Sequence, residues 1–209
     1  MTTARFHGTI TGIGTTSGVR VVVGQWRDTP YGSFDDVMLQ TREGHRRLLA
    51  PTEQVAEFIE QTYEFDQVSI TPVTIVTDGR TRRLTADDLS VTWTIGRRTA
   101  VGGLLRAVPA RLATAPAWSR LIDPVARVVM RGVRTAGTAR AGRREFYGAR
   151  DMHALVRASG EYAGQDLGEL APVSPAVSFG FGSAPARPAV TTIVTTVIER
   201  SLQAQPQAD

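Results

Sequence analysis

The first half of the chain alternates short β-rich runs with turn residues. Arg5–Ile13 and Val19–Trp26 are rich in β-branched residues and are joined by a glycine-containing loop, which predicts an antiparallel hairpin. Val37–Gln40 and Arg46–Leu49 flank a Glu-Gly turn and predict a second hairpin. The pattern therefore indicates a meandering antiparallel sheet.

One amphipathic helix interrupts these strands. Thr52 fits an N-cap, and the residues after it place apolar side chains at helical spacing to about Tyr63. Two more β-rich runs follow, Val68–Thr77 and Leu89–Ile95, with a turn at Gly79 between them. The second run alternates apolar and hydroxyl side chains, which is typical of a strand with one buried face.

The pattern becomes helical after residue 96. Apolar residues between Val101 and Val108 recur at helical spacing. Shorter helical segments are expected at residues 110–113 and 125–131, because three prolines break the periodicity. These residues predict an amphipathic helical insertion with a basic face.

The β pattern returns towards the C-terminus. Residues 143–147, Val177–Gly180 and Val190–Ile198 each predict a strand. The predicted fold class is therefore α+β, with a mainly antiparallel β-sheet, open or barrel-like, and a basic helical insertion.

The domain organisation follows from the same pattern. We expect a single domain over residues 1–198. Residues 5–95 and 143–198 are its β-rich parts, and residues 96–142 are the helical insertion. Residues 199–209 are expected to form a flexible tail.

The cationic side chains are all arginine. The 209 residues include 24 Lys+Arg, none of which is lysine, and no cysteine. Without lysine the chain can form neither a Schiff base nor the lysine-containing phosphate loop, and without cysteine it has no thiol nucleophile or disulfide. The arginine guanidinium is planar and permanently charged, so it suits the binding of carboxylate and phosphate.

The arginines are concentrated in the middle of the chain. Residues 80–157 carry 16 Arg against 5 acidic residues, whereas 1–79 carry 6 against 10 and 158–209 carry 2 against 5. The basic block can form an anion-binding surface, or it can dock on the acidic flanks of the same fold. The sequence has no zinc module, RNA-recognition signature or helix-turn-helix, which argues against nucleic acid as a partner.

The sequence lacks the patterns typical of a membrane span, a signal region and a metal site. The longest charge-free apolar stretch, Pro188–Ile198, has about 11 residues, and the N-terminus has no apolar signal region. We therefore predict a cytoplasmic protein without a membrane span. Asp35 and Asp36 could hold a hard cation. The three histidines have no metal-site spacing, so we expect neither a metal nor another cofactor.

The densest group of reactive side chains lies between residues 143 and 153. In a strand over 143–147, Arg143, Glu145 and Tyr147 share one face. The candidate ligand-binding residues are Arg97, Arg98, Arg143, Arg144 and Arg150. If the protein is an enzyme, the candidate catalytic residues are Glu145, Tyr147, Asp151 and His153. Alternatively, Glu145 is an ion-pair partner and His153 is a surface residue.

Two segments resemble a known family. Gly142–Gly148 resembles the Gly-Arg-Glu-aromatic-Gly strand of acetoacetate decarboxylases, and Gly32–Met38 is similar to their Gly-aromatic-x-Glu-Val segment. The resemblance implies a mainly antiparallel, cone-like β fold around a small acidic or keto substrate. The family's catalytic lysine would fall where Arg150 and Asp151 stand, so Schiff-base decarboxylation is not implied. The whole chain also resembles uncharacterised proteins of GC-rich actinobacteria, which implies no function.

Together these observations favour the binding of a small anionic, partly apolar molecule inside the sheet, clamped by arginines. One alternative is a lyase or hydrolase on an acetoacetate decarboxylase-like scaffold without Schiff-base chemistry. The other is binding of nucleic acid or another polyanion through the basic insertion. The sequence leaves the ligand and the oligomeric state open.

Overall fold

The structure of the protein is a computed structural model, and it describes residues 2–109, 136–140, 143–180 and 184–199. These residues contain thirteen strands and two helices. The helices are α1, Glu53–Glu60, and α2, Ala100–Ala107. The strands are β1 (Thr2–Thr15), β2 (Arg20–Asp28), β3 (Phe34–Gln40), β4 (Arg46–Ala50), β5 (Gln67–Ile70), β6 (Thr74–Asp78), β7 (Thr81–Ala86), β8 (Leu89–Arg98), β9 (Ala136–Arg140), β10 (Arg143–Tyr162), β11 (Gln165–Asp166), β12 (Leu170–Ala171) and β13 (Ala189–Glu199).

All thirteen strands belong to one sheet. Its main path runs β5-β4-β3-β2-β1-β13-β10-β8-β7-β6, while β9 and β11 pair with β10 and β12 pairs with β1. Every pairing is antiparallel except that of β4 with β5, which are connected through α1. A parallel pair needs such a crossover, whereas the antiparallel pairs need only turns.

The sheet curls on itself and packs on both faces. One core joins Val21 and Leu39, from β2 and β3, to Leu84 and Trp93, from β7 and β8 near the other end of the sheet. The opposite face of β1–β4 packs against α1 and against residues of β10 and β13. The prediction of a mainly antiparallel α+β protein is therefore confirmed, and the curled sheet is half of a barrel.

Local sequence signals predicted the first elements correctly. Both hairpins form, as β1–β2 and β3–β4. Thr52 is the N-cap of α1, and its Oγ1 accepts a hydrogen bond of 3.3 Å from the backbone N–H of Val55. The helix buries Val55 and Ile59 against the sheet.

Two strand predictions are wrong. Val68–Thr77 is not one strand, because it contains β5 and β6, which lie at opposite ends of the sheet path. Pro72 lies between them, and proline cannot donate the ladder hydrogen bond that a continuous strand requires. The predicted strand Val177–Gly180 has no strand pairing, and β7 was not predicted.

The predicted helical insertion, residues 96–142, is not helical at its ends. Residues 96–98 continue β8, and 136–140 form β9. Between them, Thr99 caps α2 by accepting a hydrogen bond of 2.9 Å from the N–H of Gly102. The helices predicted at 110–113 and 125–131 lie outside the described residues, as does the predicted tail from 200 onwards.

Candidate functional site

A cavity lies between the sheet and α1. Its volume is about 50 Å³, which is enough for several water molecules or a ligand of a few heavy atoms. The lining is mostly apolar and aromatic, with four polar side chains besides two tyrosines. It consists of Phe6, Ile10, Val22, Gly24, Trp26, Phe34, Asp36, Met38, Phe58, Ile59, Thr62, Tyr63, Glu145, Tyr147, Thr195 and Val197.

Aromatic rings form one wall of the cavity. Phe6 of β1 stacks on Phe58 of α1 with ring centroids 4.6 Å apart, and Trp26 of β2 meets Phe6 edge-on at 6.0 Å. Both arrangements suit the quadrupoles of aromatic rings. Trp26, Phe58 and Tyr63 are only half-buried, so the cavity approaches the surface beside α1.

Asp36 places a carboxyl group in this apolar lining. The residue is 3% exposed, and its Oδ1 accepts a hydrogen bond of 2.8 Å from Trp26 Nε1. Burial raises the pKa of Asp36 to about 7, opposed by the Trp26 hydrogen bond and assisted by the nearby charge of Asp35. Asp36 is therefore divided between its protonated and ionised forms near neutral pH.

The strand geometry explains how Asp36 comes to face the cavity. Phe34, Asp36 and Met38 alternate along β3, and all three line the cavity. Gly24 is the register partner of Asp36 on β2. A Cβ on Gly24 would clash with Asp36 Oδ1 and stand 2.6 Å from Trp26 Nε1. The absence of a side chain at Gly24 therefore makes room for the Trp26–Asp36 hydrogen bond.

A second carboxyl group, that of Glu145 on β10, lies on the other side of the cavity. Its Oε1 accepts a hydrogen bond of 2.6 Å from Thr62 Oγ1, and its Oε2 accepts one of 3.2 Å from the Tyr147 hydroxyl. In the sheet, β3 and β10 are separated by β2, β1 and β13. Asp36 and Glu145 therefore belong to opposite walls.

The tyrosine hydroxyls form a directed chain. Burial, followed by the neighbouring Tyr63 and Glu145, raises the pKa of Tyr147 well above its ordinary value, so its hydroxyl stays protonated. The Tyr147 hydroxyl also contacts that of Tyr63 through a short hydrogen bond. Because a hydroxyl carries one hydrogen and Tyr147 donates it to Glu145, Tyr63 must donate to Tyr147.

The four candidate catalytic residues form two pairs on opposite faces of the sheet. Glu145 and Tyr147 line the cavity, as their shared strand face predicted. At Arg150 the register with β13 shifts, because Ala149 pairs with Ile193 and Asp151 with Thr192. This β-bulge inserts one extra residue, and so it places Asp151 and His153 on the face opposite to Glu145.

Asp151 is held by arginine on that second face. Arg98 Nε and Nη2 donate hydrogen bonds of 2.9 and 3.1 Å to its two carboxylate oxygens. Burial acts to raise the pKa of Asp151, but the bonds from Arg98 and from the Met152 N–H outweigh it and lower the pKa overall. His153 Nδ1 stands 3.9 Å from Asp151 Oδ1, beyond hydrogen-bond distance.

The arginines predicted to clamp a ligand inside the sheet do not line the cavity in the part of the chain that the structure describes. Arg97, Arg98, Arg144 and Arg150 are exposed, and none of them lines the cavity. The side chain of Arg143 lies outside the described residues. The predicted clamp and the cavity are therefore separate parts of the molecule as far as the structure describes them.

Buried arginines come instead from the N-terminal third of the chain. Arg20 donates to the backbone carbonyl oxygens of Pro175, at 3.1 Å, and Thr41, at 2.6 Å. Arg47 binds the adjacent carboxylates Asp87 and Asp88. These contacts hold loops on the sheet.

The sequence analysis missed five residues that bring polar groups to the cavity. Asp36 is a candidate there only as part of an acid pair, and the site residues do not include Trp26, Thr62, Tyr63 or Thr195. One signal was present: an acidic residue stands between Phe34 and Met38 at strand spacing, so a carboxyl group interrupts an apolar face. Thr62, which donates a hydrogen bond to Glu145, lies 83 residues away in the sequence, and no local pattern indicates this contact.

Two broader features concern membranes and metals. Neither helix in the described residues is long and apolar enough to cross a membrane. Across the same residues, His, Asp and Glu side chains nowhere gather in a group of three or more that could hold a metal ion.

The chain is similar to a solved structure but matches no family model and no curated protein. No protein-family model matches the sequence, and no curated protein matches it either. Among solved structures, the chain is similar to the crystal structure of acetoacetate decarboxylase from Legionella pneumophila, with 10% sequence identity and a TM-score of 0.41. The match covers 99% of this chain and 88% of that one.

Proposed function

We propose that the chain binds a small, partly apolar molecule in the cavity, through a polar group that donates a hydrogen bond to Asp36. The observation that carries the proposal is the state of this carboxyl group. It is buried and lines the cavity, and Trp26 occupies its Oδ1. The hydrogen bond found for Asp36 among the described residues uses Oδ1, so Oδ2 can accept a hydrogen bond from a bound donor.

The lining also defines the kind of ligand that fits. Phe6, Trp26 and Phe58 offer apolar contact to a short hydrocarbon part. The polar side chains Asp36 and Glu145 repel a carboxylate when they are ionised and attract an amine or a hydroxyl. The ligand is therefore a small amine or alcohol. The predicted anionic ligand would need a cation here, and none of the described arginines lines this cavity.

Acid–base catalysis on the bound molecule is a second candidate, favoured by the pKa of Asp36. A group with a pKa of about 7 donates and accepts protons with comparable ease at neutral pH, which is the property required of a general acid or base. Glu145 and Tyr147, two of the predicted catalytic residues, would then bind the far end of the substrate.

Binding can be tested with three probes that share one hydrocarbon skeleton: isobutylamine, isobutanol and isobutyrate. The indole N–H signal of Trp26 in nuclear magnetic resonance spectra reports on the Asp36 hydrogen bond. Trp93 lies in the other core, so its signal is an internal reference. We expect the amine and the alcohol, but not the carboxylate, to shift the Trp26 signal and to leave the Trp93 signal in place. Amine binding should strengthen from pH 6 to 8 as Asp36 ionises.

A matched pair of variants separates the site from general effects. Asp36→Asn should weaken amine binding by about tenfold, because a charge-assisted hydrogen bond is lost. Asp35→Asn makes the same chemical change on the adjacent residue, which pairs with Arg27 and does not line the cavity, and should retain binding. Preferred binding of isobutyrate, or equal effects of the two variants, would contradict the proposal.

A further inference from the structure

The face of β13 opposite to the cavity carries a separate cleft. Its volume is about 360 Å³, and its lining is Leu105, Arg106, Val108, Arg150, Asp151 and Thr192. It shares no residue with the cavity of Asp36. Thr192 lies on the other side of β13 from Thr195 and Val197, which line the cavity.

The β-bulge directs a charged side chain to this cleft. Arg150 is the extra residue between Ala149 and Asp151, so it has no register partner on β13. Its side chain is exposed and forms no ion pair or hydrogen bond with any described residue. Bulges commonly re-aim a side chain at a binding site, and Arg150 is positioned to offer its whole guanidinium group to a ligand.

The carboxylate in the cleft does not cancel this charge. Arg98 already binds both carboxylate oxygens of Asp151, and the backbone N–H of Met152 donates a further hydrogen bond of 2.8 Å to Oδ1. Arg106 stands 3.7 Å from Asp151 Oδ2, and its side chain is 61% exposed. Asp151 is thus paired with both Arg98 and Arg106. One carboxylate faces three guanidinium groups, those of Arg98, Arg106 and Arg150, so the cleft keeps a net positive charge beside the Thr192 hydroxyl.

An adjoining cleft extends the positive region. It also contains Thr192, and its charged or basic lining residues are His7, Arg27 and Arg82. Arg27 pairs with Asp35 at 3.1 Å, but Arg82 donates only to the backbone carbonyl oxygens of Gly79 and Thr81 and so keeps its charge. No acidic residue lines this second cleft among the described residues.

We propose that Arg106, Arg150 and Thr192 form a binding site for the oxyanion group, phosphate or carboxylate, of a small molecule. A planar guanidinium donates two parallel hydrogen bonds to such a group, and the threonine hydroxyl can supply a third. The apolar residues Leu105 and Val108 lie beside it and suit a short organic part. This site is independent of the proposed ligand of Asp36.

Inorganic phosphate and acetate are the two probes, and titration calorimetry at low salt gives their affinities. Tighter binding of phosphate would identify the ligand class as phosphorylated, and tighter binding of acetate as carboxylic. Arg150→Gln and Arg106→Gln should each weaken the preferred probe by about tenfold. Arg150→Lys should weaken it as well, because lysine keeps the charge but not the planar fork.

Two controls make the result specific. Arg144→Gln removes the same charge from an exposed position of β10 that lies in neither cleft, and should leave the affinity unchanged. Asp36→Asn should also leave it unchanged, so failure of the cavity proposal and failure of this one can be told apart. The proposal is overturned if neither probe binds, or if Arg144→Gln weakens binding as much as Arg150→Gln.

Discussion

Gly24 lies directly opposite Asp36 in the register between β2 and β3, where any side chain would occupy the place of the Asp36 carboxyl. Gly24→Ala should therefore separate Asp36 from Trp26 and lower the free energy of unfolding by about 1–3 kcal/mol. Urea unfolding gives the stability, and the Trp26 indole signal shows whether the hydrogen bond is lost.

Gly103→Ala is the control, because a Cβ there meets nothing within 4 Å. A helical alanine should stabilise by up to about 1 kcal/mol. Equal behaviour of the two variants would be inconsistent with a steric role for Gly24.

Stability should depend on pH through Asp36. Its pKa of about 7 in the folded protein is above the ordinary value of 3.8, so the folded state binds this proton more tightly than the unfolded state. The contribution of protonated Asp36 to the free energy of unfolding is therefore largest below about pH 4, the ordinary pKa. It decreases as the pH rises and is lost above about pH 7, the pKa in the folded protein. It amounts to roughly 4 kcal/mol.

Asp36→Asn tests this linkage. Asparagine has no charged form and can still accept the Trp26 hydrogen bond. The variant should therefore lose much less stability between pH 4 and 8 than the parent protein, and should be the more stable of the two at pH 8. Parallel pH profiles in urea unfolding would show that Asp36 titrates normally.

The direction of the tyrosine chain predicts unequal effects of two similar substitutions. Tyr147→Phe removes the buried donor to Glu145, so it should lower the free energy of unfolding by about 1–3 kcal/mol. Tyr63→Phe leaves the Tyr147–Glu145 hydrogen bond in place, and because Tyr63 is half-buried the cost should be smaller. Chemical denaturation of both variants measures the difference. A larger loss for Tyr63→Phe would reverse the assigned direction of the chain.

Sequence reasoning succeeded where the determining contacts are local. The cap of α1 needs only Thr52 and the N–H of Val55, three residues apart, and the hairpins need only their turns. It failed at residues 68–77, because the apolar content there favours one continuous strand, whereas Pro72 cannot donate the ladder hydrogen bond that such a strand needs. The order of strands in the sheet had no comparable local signal.

The candidate site was predicted in part for a related reason. Glu145 and Tyr147 share a face because alternation holds over three residues of β10. Asp151 does not join them, because the bulge at Arg150 changes the alternation and leaves no mark in the amino-acid pattern. Asp36 depends on Gly24 and Trp26 from the neighbouring strand, so its burial is a property of pairing, which a single run of sequence does not contain.

Arg150 is an addition to the ladder of β10 rather than a member of it. The pairs Ala149–Ile193 and Asp151–Thr192 are neighbours on β13, so a chain without residue 150 could close the ladder regularly and keep every pair on both sides. Deletion of this one residue would remove a cation from one face while Glu145 and Tyr147 kept their positions on the other. The bulge therefore lets one face of the sheet carry a cation that the pairing on the other face does not require.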